Sequence, residues 1–141
     1  MKEVLLRELF RNTAEYADAE VLIKGWVRNN RNSNKFGFIE LNDGSFFKSV
    51  QVVYEEEFLD YEEIAKSYVG SALAVTGVVC LTPNAKQSFE IKAKAVTVEG
   101  TSTPDYPLQP KRHSMEFLRE IGYLRPRTNM FSAVFRVRSL V

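Results

Sequence analysis

Residues 21–54 read VLIKGWVRNNRNSNKFGFIELNDGSFFKSVQVVY, and their alternation decides the fold. Val21, Ile23 and Val27 share one parity, while Lys24, Trp26 and Arg28 share the other. That is the period of a strand with one face in a core and one toward solvent. Asn29 to Asn34 is polar and reads as a loop. Phe36 to Leu41 alternates again and closes on Asn42-Asp43-Gly44-Ser45, residues suited to tight turns. A third strand is expected from about Lys48 to Tyr54.

Downstream, Glu55 to Lys66 is acidic but places Phe58, Tyr61, Ile64 and Ala65 at helical spacing. Gly70 to Leu81 is nearly all apolar and reads as a strand buried on both faces, with Cys80 as a small buried hydrophobe. Thr82-Pro83-Asn84 turns the chain. Gln87 to Val98 then sets Phe89, Ile91, Ala93 and Ala95 against Glu90, Lys92 and Lys94. Three strands, a helix and two strands are the order of a five-stranded OB-fold Greek-key barrel.

Upstream, Leu5, Leu6, Leu9 and Phe10 recur at helical spacing. Residues 100–110, GTSTPDYPLQP, carry three prolines and end the barrel as a linker. Arg112 to Glu120 is helix-like, Arg125-Pro126-Arg127 interrupts, and Asn129 to Val141 resumes helical spacing, closing on apolar residues as a piece of a longer chain would. The expected class is all-β dominated, with an N-terminal helix, one helix between strands three and four, and a partly helical C-terminal hinge segment. The expected organisation is a helical segment at 1–20, the barrel at 21–99 and a hinge at 100–141.

A net charge of +1 gives no global pull on nucleic acid, yet the charges are localised. Lys24 to Lys35 holds Lys24, Arg28, Arg31 and Lys35 with no acid, and Lys111 onward is again basic. The single cysteine excludes an intrachain disulfide framework, and no Cys/His cluster has zinc spacing. The first residues, MKEVLLRELFRN, are too charged for a signal peptide, and no stretch is apolar enough to span a bilayer, so a soluble cytoplasmic protein is expected. His113, the lone histidine, lacks a nucleophile or metal partner and reads as structural.

The second strand is the informative one. Gly37, Ile39 and Leu41 make a core face, which leaves Phe36 and Phe38 beside Glu40 and Asn42 on the polar side. Val50, Val52 and Tyr54 facing inward put Gln51 outward, and Glu90 is outward in the last strand. Neighbouring strands would gather Arg28, Phe36, Phe38, Gln51 and Glu90 on one outer face with Arg31 at its rim. Unpaired RNA bases are held by aromatic stacking plus groups that read base edges. Two readings of this face stay open, because the phenylalanines could instead pack under the N-terminal helix or a loop, and Glu90 could serve as a cross-strand charge pair. Trp26 is read as covered by the helix.

Two stretches carry a resemblance. Residues 23–41, IKGWVRNNRNSNKFGFIEL, resemble the opening strands of the anticodon-binding barrel of aspartyl-, asparaginyl- and lysyl-tRNA synthetases. Residues 107–139, PLQPKRHSMEFLREIGYLRPRTNMFSAVFRVRS, look specifically like the asparaginyl family, where they lead from the hinge into the catalytic domain. Tyr123 stands where that family usually has histidine. The resemblance implies that Phe38 stacks the middle anticodon base, that Arg31 and Gln51 contact that base, a uracil, and that Glu90 recognises the first base, guanine or its queuosine derivative. Arg28, Asn30 and Phe36 follow as secondary candidates. It also implies the anticodon loop of tRNA(Asn) as partner, a homodimer, and ATP and Mg2+ for the full-length enzyme, with no cofactor, metal ligand or catalytic residue in this chain. The alternatives are a free-standing OB module for single-stranded nucleic acid and a protein-interaction barrel.

Overall fold

The computed structural model describes residues 2–32, 35–55, 61–83 and 86–141. Its elements are β1 (Lys2–Glu3), α1 (Leu6–Arg11), β2 (Glu20–Asn32), β3 (Phe36–Asn42), β4 (Val50–Glu55), α2 (Tyr61–Ala65), β5 (Ala72–Leu81), β6 (Phe89–Gly100), α3 (Met115–Glu120) and α4 (Asn129–Leu140). Expectations for Ser33 and Asn34, for Phe58 within 56–60, and for Asn84 lie outside the described residues.

Each strand from β2 to β6 has a partner on both sides. β2 pairs antiparallel with β3 and, along its first half, with β5. β3 pairs antiparallel with β4, β4 runs parallel to β6, and β6 returns antiparallel to β5. The circuit closes into a five-stranded barrel, so none of these strands is a free sheet edge along its whole length. The short β1 adds outside it, parallel to β2. Val21, Ile23, Val27, Ile39, Leu41, Val50, Val52, Tyr54, Val75, Phe89 and Ile91 fill the interior, each at most 2% exposed.

Bulges in β2 and β6 change the register that simple alternation implies. Val27 faces Leu41 and Asn29 faces Glu40, so Arg28 is the extra residue of β2. β2 therefore continues to Asn32, where a loop was expected, because Asn29 to Asn32 find ladder partners in Glu40 to Gly37. Past the bulge the inward parity passes to Asn30. Its amide oxygen accepts from the Tyr54 hydroxyl at 3.0 Å, and its Nδ2 donates to the carbonyls of Ile64 and Ser67 at 2.9 and 3.1 Å. One asparagine thus fastens α2 and its following turn to the barrel.

In β6 Lys94 is an extra residue, between Ala93 opposite Gly77 and Ala95 opposite Thr76, and Glu99 is another, between Val98 opposite Leu73 and Gly100 opposite Ala72. Ala95, expected in the core, is exposed, and Val96 is buried in its place. β5 alternates buried with half-buried residues, so only one of its faces lies in the core and Cys80 sits half-buried on the other. Asn42, expected outward, is 5% exposed. It turns inward to build the β3–β4 turn, accepting from the Gly44 amide at 2.8 Å. Gly44 takes φ +82°, which a side chain would resist.

The N-terminal segment belongs to the same core. Leu6 and Leu9 are fully buried in it, and Phe10 meets Phe46 and Phe89 edge-on. The residue before α1 is Leu5, which cannot cap a helix. Asp43 serves instead, its Oδ2 accepting from the Leu6 amide at 2.9 Å while Ser45 Oγ accepts from Arg7. A carboxylate at this end satisfies orphan amides and opposes the helix dipole. Asp43→Ala should therefore cost about 0.5–2 kcal/mol of stability, the usual worth of a lost cap, and a urea melt unchanged by the substitution would assign those amides to water.

Candidate nucleic-acid interface

The barrel's outer face is organised in rows by strand register. Arg31 on β2, Phe38 on β3, Val53 on β4 and Lys92 on β6 are successive cross-strand partners. The next row holds Asn29, Glu40 and Gln51. Parallel pairing of Val52 with Ile91 sets Glu90 beside Gln51 in that row. Phe36, opposite Glu55, stands two residues from Phe38 on the same side. The intervening residues Ile39, Val52 and Ile91 are fully buried, so these side chains point away from the core.

The structure thus brings Arg31, Phe36, Phe38, Gln51 and Glu90 onto one face. Phe36 is 42% exposed, Arg31 is exposed, and Phe38, Gln51 and Glu90 are half-buried. Phe38 keeps part of its surface in solvent beside its cross-strand neighbours Arg31 and Val53. Such a platform can stack a base and offers an amide, a carboxylate and a guanidinium at its border.

Arg28 is placed elsewhere. As the bulged residue it leans toward the C-terminal segment, its Nη1 donating to Asn129 Oδ1 at 2.8 Å. Burial pushes its pKa down, Glu40 and Tyr106 pull it back up, and the charges of Arg127 and Arg136 press it lower. The group remains charged, since free guanidinium titrates so high. Asn30 is turned inward, its side-chain amide engaged by Tyr54, Ile64 and Ser67.

The face also holds Asn29, Val53 and Lys92, which are not among the sequence candidates. The bulge brings Asn29 there from an expected loop, whereas the outward side of Val53 and Lys92 follows from alternation alone. Trp26 is a correction. It is 40% exposed rather than covered by the N-terminal helix, and the Arg127 guanidinium lies 4.6 Å from its ring centroid. His113 packs structurally, its Nε2 3.2 Å from the Gln109 amide and its ring stacked on Phe117.

A cleft of about 1510 Å³ opens between this face and the C-terminal segment, with Arg31 and Gln51 on its wall. Among the described residues no group of three or more His, Cys, Asp or Glu could hold a metal ion. No described helix is long and apolar enough to cross a membrane.

Residues 21–99 match the tRNA anti-codon family model, described as an OB-fold nucleic acid binding domain. The chain is 60% identical to an asparagine–tRNA ligase of Acetivibrio thermocellus, over 100% of its own length and 31% of that protein. A ligase of the same name from Alkaliphilus oremlandii is 57% identical over 99% of the chain and 30% of its own length. The crystal structure of asparaginyl-tRNA synthetase from Pyrococcus horikoshii superposes with a TM-score of 0.76 and 25% identity, covering 89% of this chain and 30% of that one. The chain therefore spans under a third of the curated relatives it matches.

Proposed function

We propose, because this chain belongs to the tRNA anti-codon family of OB-fold nucleic acid binding domains, that it reads the anticodon of tRNA(Asn) for an asparagine–tRNA ligase. The whole enzyme would join asparagine to its tRNA with ATP and Mg2+, in the cytoplasm and as a homodimer. That chemistry is assigned to the part of the relatives that this chain does not span, and aminoacylation by residues 1–141 alone is not expected. Residues 21–99 would be the reading unit, and 100–141 the hinge toward the catalytic part.

In this reading Phe38 stacks the middle base of a GUU triplet. Gln51, one row away, offers both an N–H and a carbonyl to the uracil edge, with Arg31 donating from the β2 side. Glu90, beside Gln51, accepts from the N1 and N2 protons of guanine, a pairing only a purine with those donors satisfies. Phe36 widens the stacking surface. Arg28, engaged by Asn129, fits a supporting role at the edge better than base contact. The observation that supports this reading most is the adjacency of the Phe38 and Gln51–Glu90 rows on one outward face.

The test is an anisotropy titration of labelled anticodon stem-loops. The GUU loop should bind more tightly than a scrambled loop, and Gln51→Ala should weaken GUU binding by about 0.5–1.5 kcal/mol, the net worth of a hydrogen bond. Equal binding of GUU and scrambled loops by the unaltered chain would favour a general single-strand module instead.

A further inference from the structure

The cleft beside the reading face has an unusual charge balance. Among the described residues, eight of those lining it are Lys or Arg and Glu40 is its acid. Arg127 and Arg136 press electrostatically on Arg28, so three guanidinium groups share this corner. Their partners are neutral: Arg28 bonds Asn129 Oδ1, Arg127 bonds the Tyr106 hydroxyl, and Arg136 donates to the Gly44 carbonyl at 2.7 Å. The ion pairs found among the described residues, Lys24–Glu3, Lys92–Glu55 and Lys94–Glu20, use none of the cleft's cations. Glu40 offsets part of this charge at Arg28, but one carboxylate against eight cations leaves net repulsion, which a polyanion entering the cleft would relieve.

We infer that this cleft is a phosphate track, which takes the RNA backbone adjoining the triplet as it leaves the Gln51 edge of the reading face. Arg31 and Gln51 belong to the reading face and also line the cleft, so the two surfaces are continuous there for a strand stacked on Phe38. Beyond them lie Lys48, Lys86 and Lys111, all exposed, whose side chains make no hydrogen bond or ion pair among the described residues. Arg136 reaches the same cleft from α4. The cleft exceeds the roughly 300–1,000 Å³ of a small-molecule pocket and suits a run of nucleotides. Lysines act on such a ligand as point charges, giving affinity without base discrimination. The inference rests on the anticodon reading and adds the division of labour: bases on the barrel face, phosphates in the cleft.

The experiment compares the full chain with the triple variant Lys48→Gln/Lys86→Gln/Lys111→Gln, binding GUU and scrambled stem-loops between 50 and 200 mM salt. Because these lysines hold no hydrogen bonds or ion pairs among the described residues, the variant should fold as the parent does, which a thermal melt checks. The slope of log K against log salt should become shallower by about 2, at about 0.7 for each phosphate that is no longer neutralised. Affinity should fall by the same factor for both loops, leaving the GUU preference intact. An unchanged slope and affinity would overturn the phosphate track while leaving anticodon reading untouched. A fall confined to the GUU loop would also overturn it, by making the lysines base readers. Loss of GUU preference in the unaltered chain would instead sink the anticodon reading, and the slope comparison would still judge the track.

Discussion

Phe38→Ala should lower affinity for a GUU stem-loop by roughly 5- to 150-fold, the equivalent of about 1–3 kcal/mol per stacked base. Phe38 sits between Arg31 and Val53 in its row, half-covered at the sides and open outward. Full burial of a phenylalanine is worth about 1.5–3 kcal/mol, and on this outward face Phe38 leaves part of that unrealised. Truncation removes the π face and leaves the backbone ladder whole. Two companions separate stacking from packing. Phe38→Leu keeps apolar area but no ring, and should bind about as poorly as the alanine variant. Phe38→Tyr keeps the ring and should bind close to the parent. Parent-like affinity in the leucine variant would show that the side chain serves the fold and not the RNA. Thermal melts on all three establish that the barrel survives.

The second large effect concerns stability. Gly37→Ala should destabilise the barrel by about 1–3 kcal/mol through overpacking, with about 0.5–1.5 kcal/mol more if the Tyr54 hydrogen bond is lost. A Cβ on Gly37 would stand 1.9 Å from Tyr54 Cζ and 2.3 Å from its Cε1 and hydroxyl oxygen. The ring cannot step aside cheaply. Tyr54 is fully buried, lies directly opposite Gly37, and donates to Asn30 Oδ1. Asn30 in turn holds the carbonyls of Ile64 and Ser67, so moving the ring disturbs the anchorage of α2. Urea denaturation of Gly37→Ala, Tyr54→Leu and the double variant gives the coupling directly. Removal of the ring should make the added methyl much less costly, so the double variant should lose less than the sum of the singles. Strict additivity would mean that Gly37 is required for another reason.

Glycine in a strand interior ordinarily weakens it, and the order Phe36-Gly37-Phe38 alone gives no reason for one there. Its use emerges only with the partner strand in view, because the ring filling the missing side chain's space comes from β4. The phenylalanines on either side of that glycine needed no such help. Their outward parity follows from Ile39 and Leu41 alone, and the structure gives them that side.

What the amino-acid order determined by itself is the set of properties that depend on local alternation and turn chemistry. The five barrel strands and the intervening helix follow from period-two and helical spacing, as does the outward side of Phe36, Phe38, Gln51 and Glu90. Alternation is a property of one strand, so it is legible wherever the ladder is unbroken. A bulge is a property of two strands: one strand's residues cannot announce that Arg28 or Lys94 will have no opposite number. For that reason the inward turn of Asn30, the exposure of Ala95 and the burial of Val96 were decided by the closed barrel. The same holds for the cleft. Arg28 and Asn129 are 101 positions apart, and Arg136 is 92 from Gly44. Only the folding back of the C-terminal segment gathers those cations around one space, because charges distant in sequence repel or cooperate according to distance in space alone.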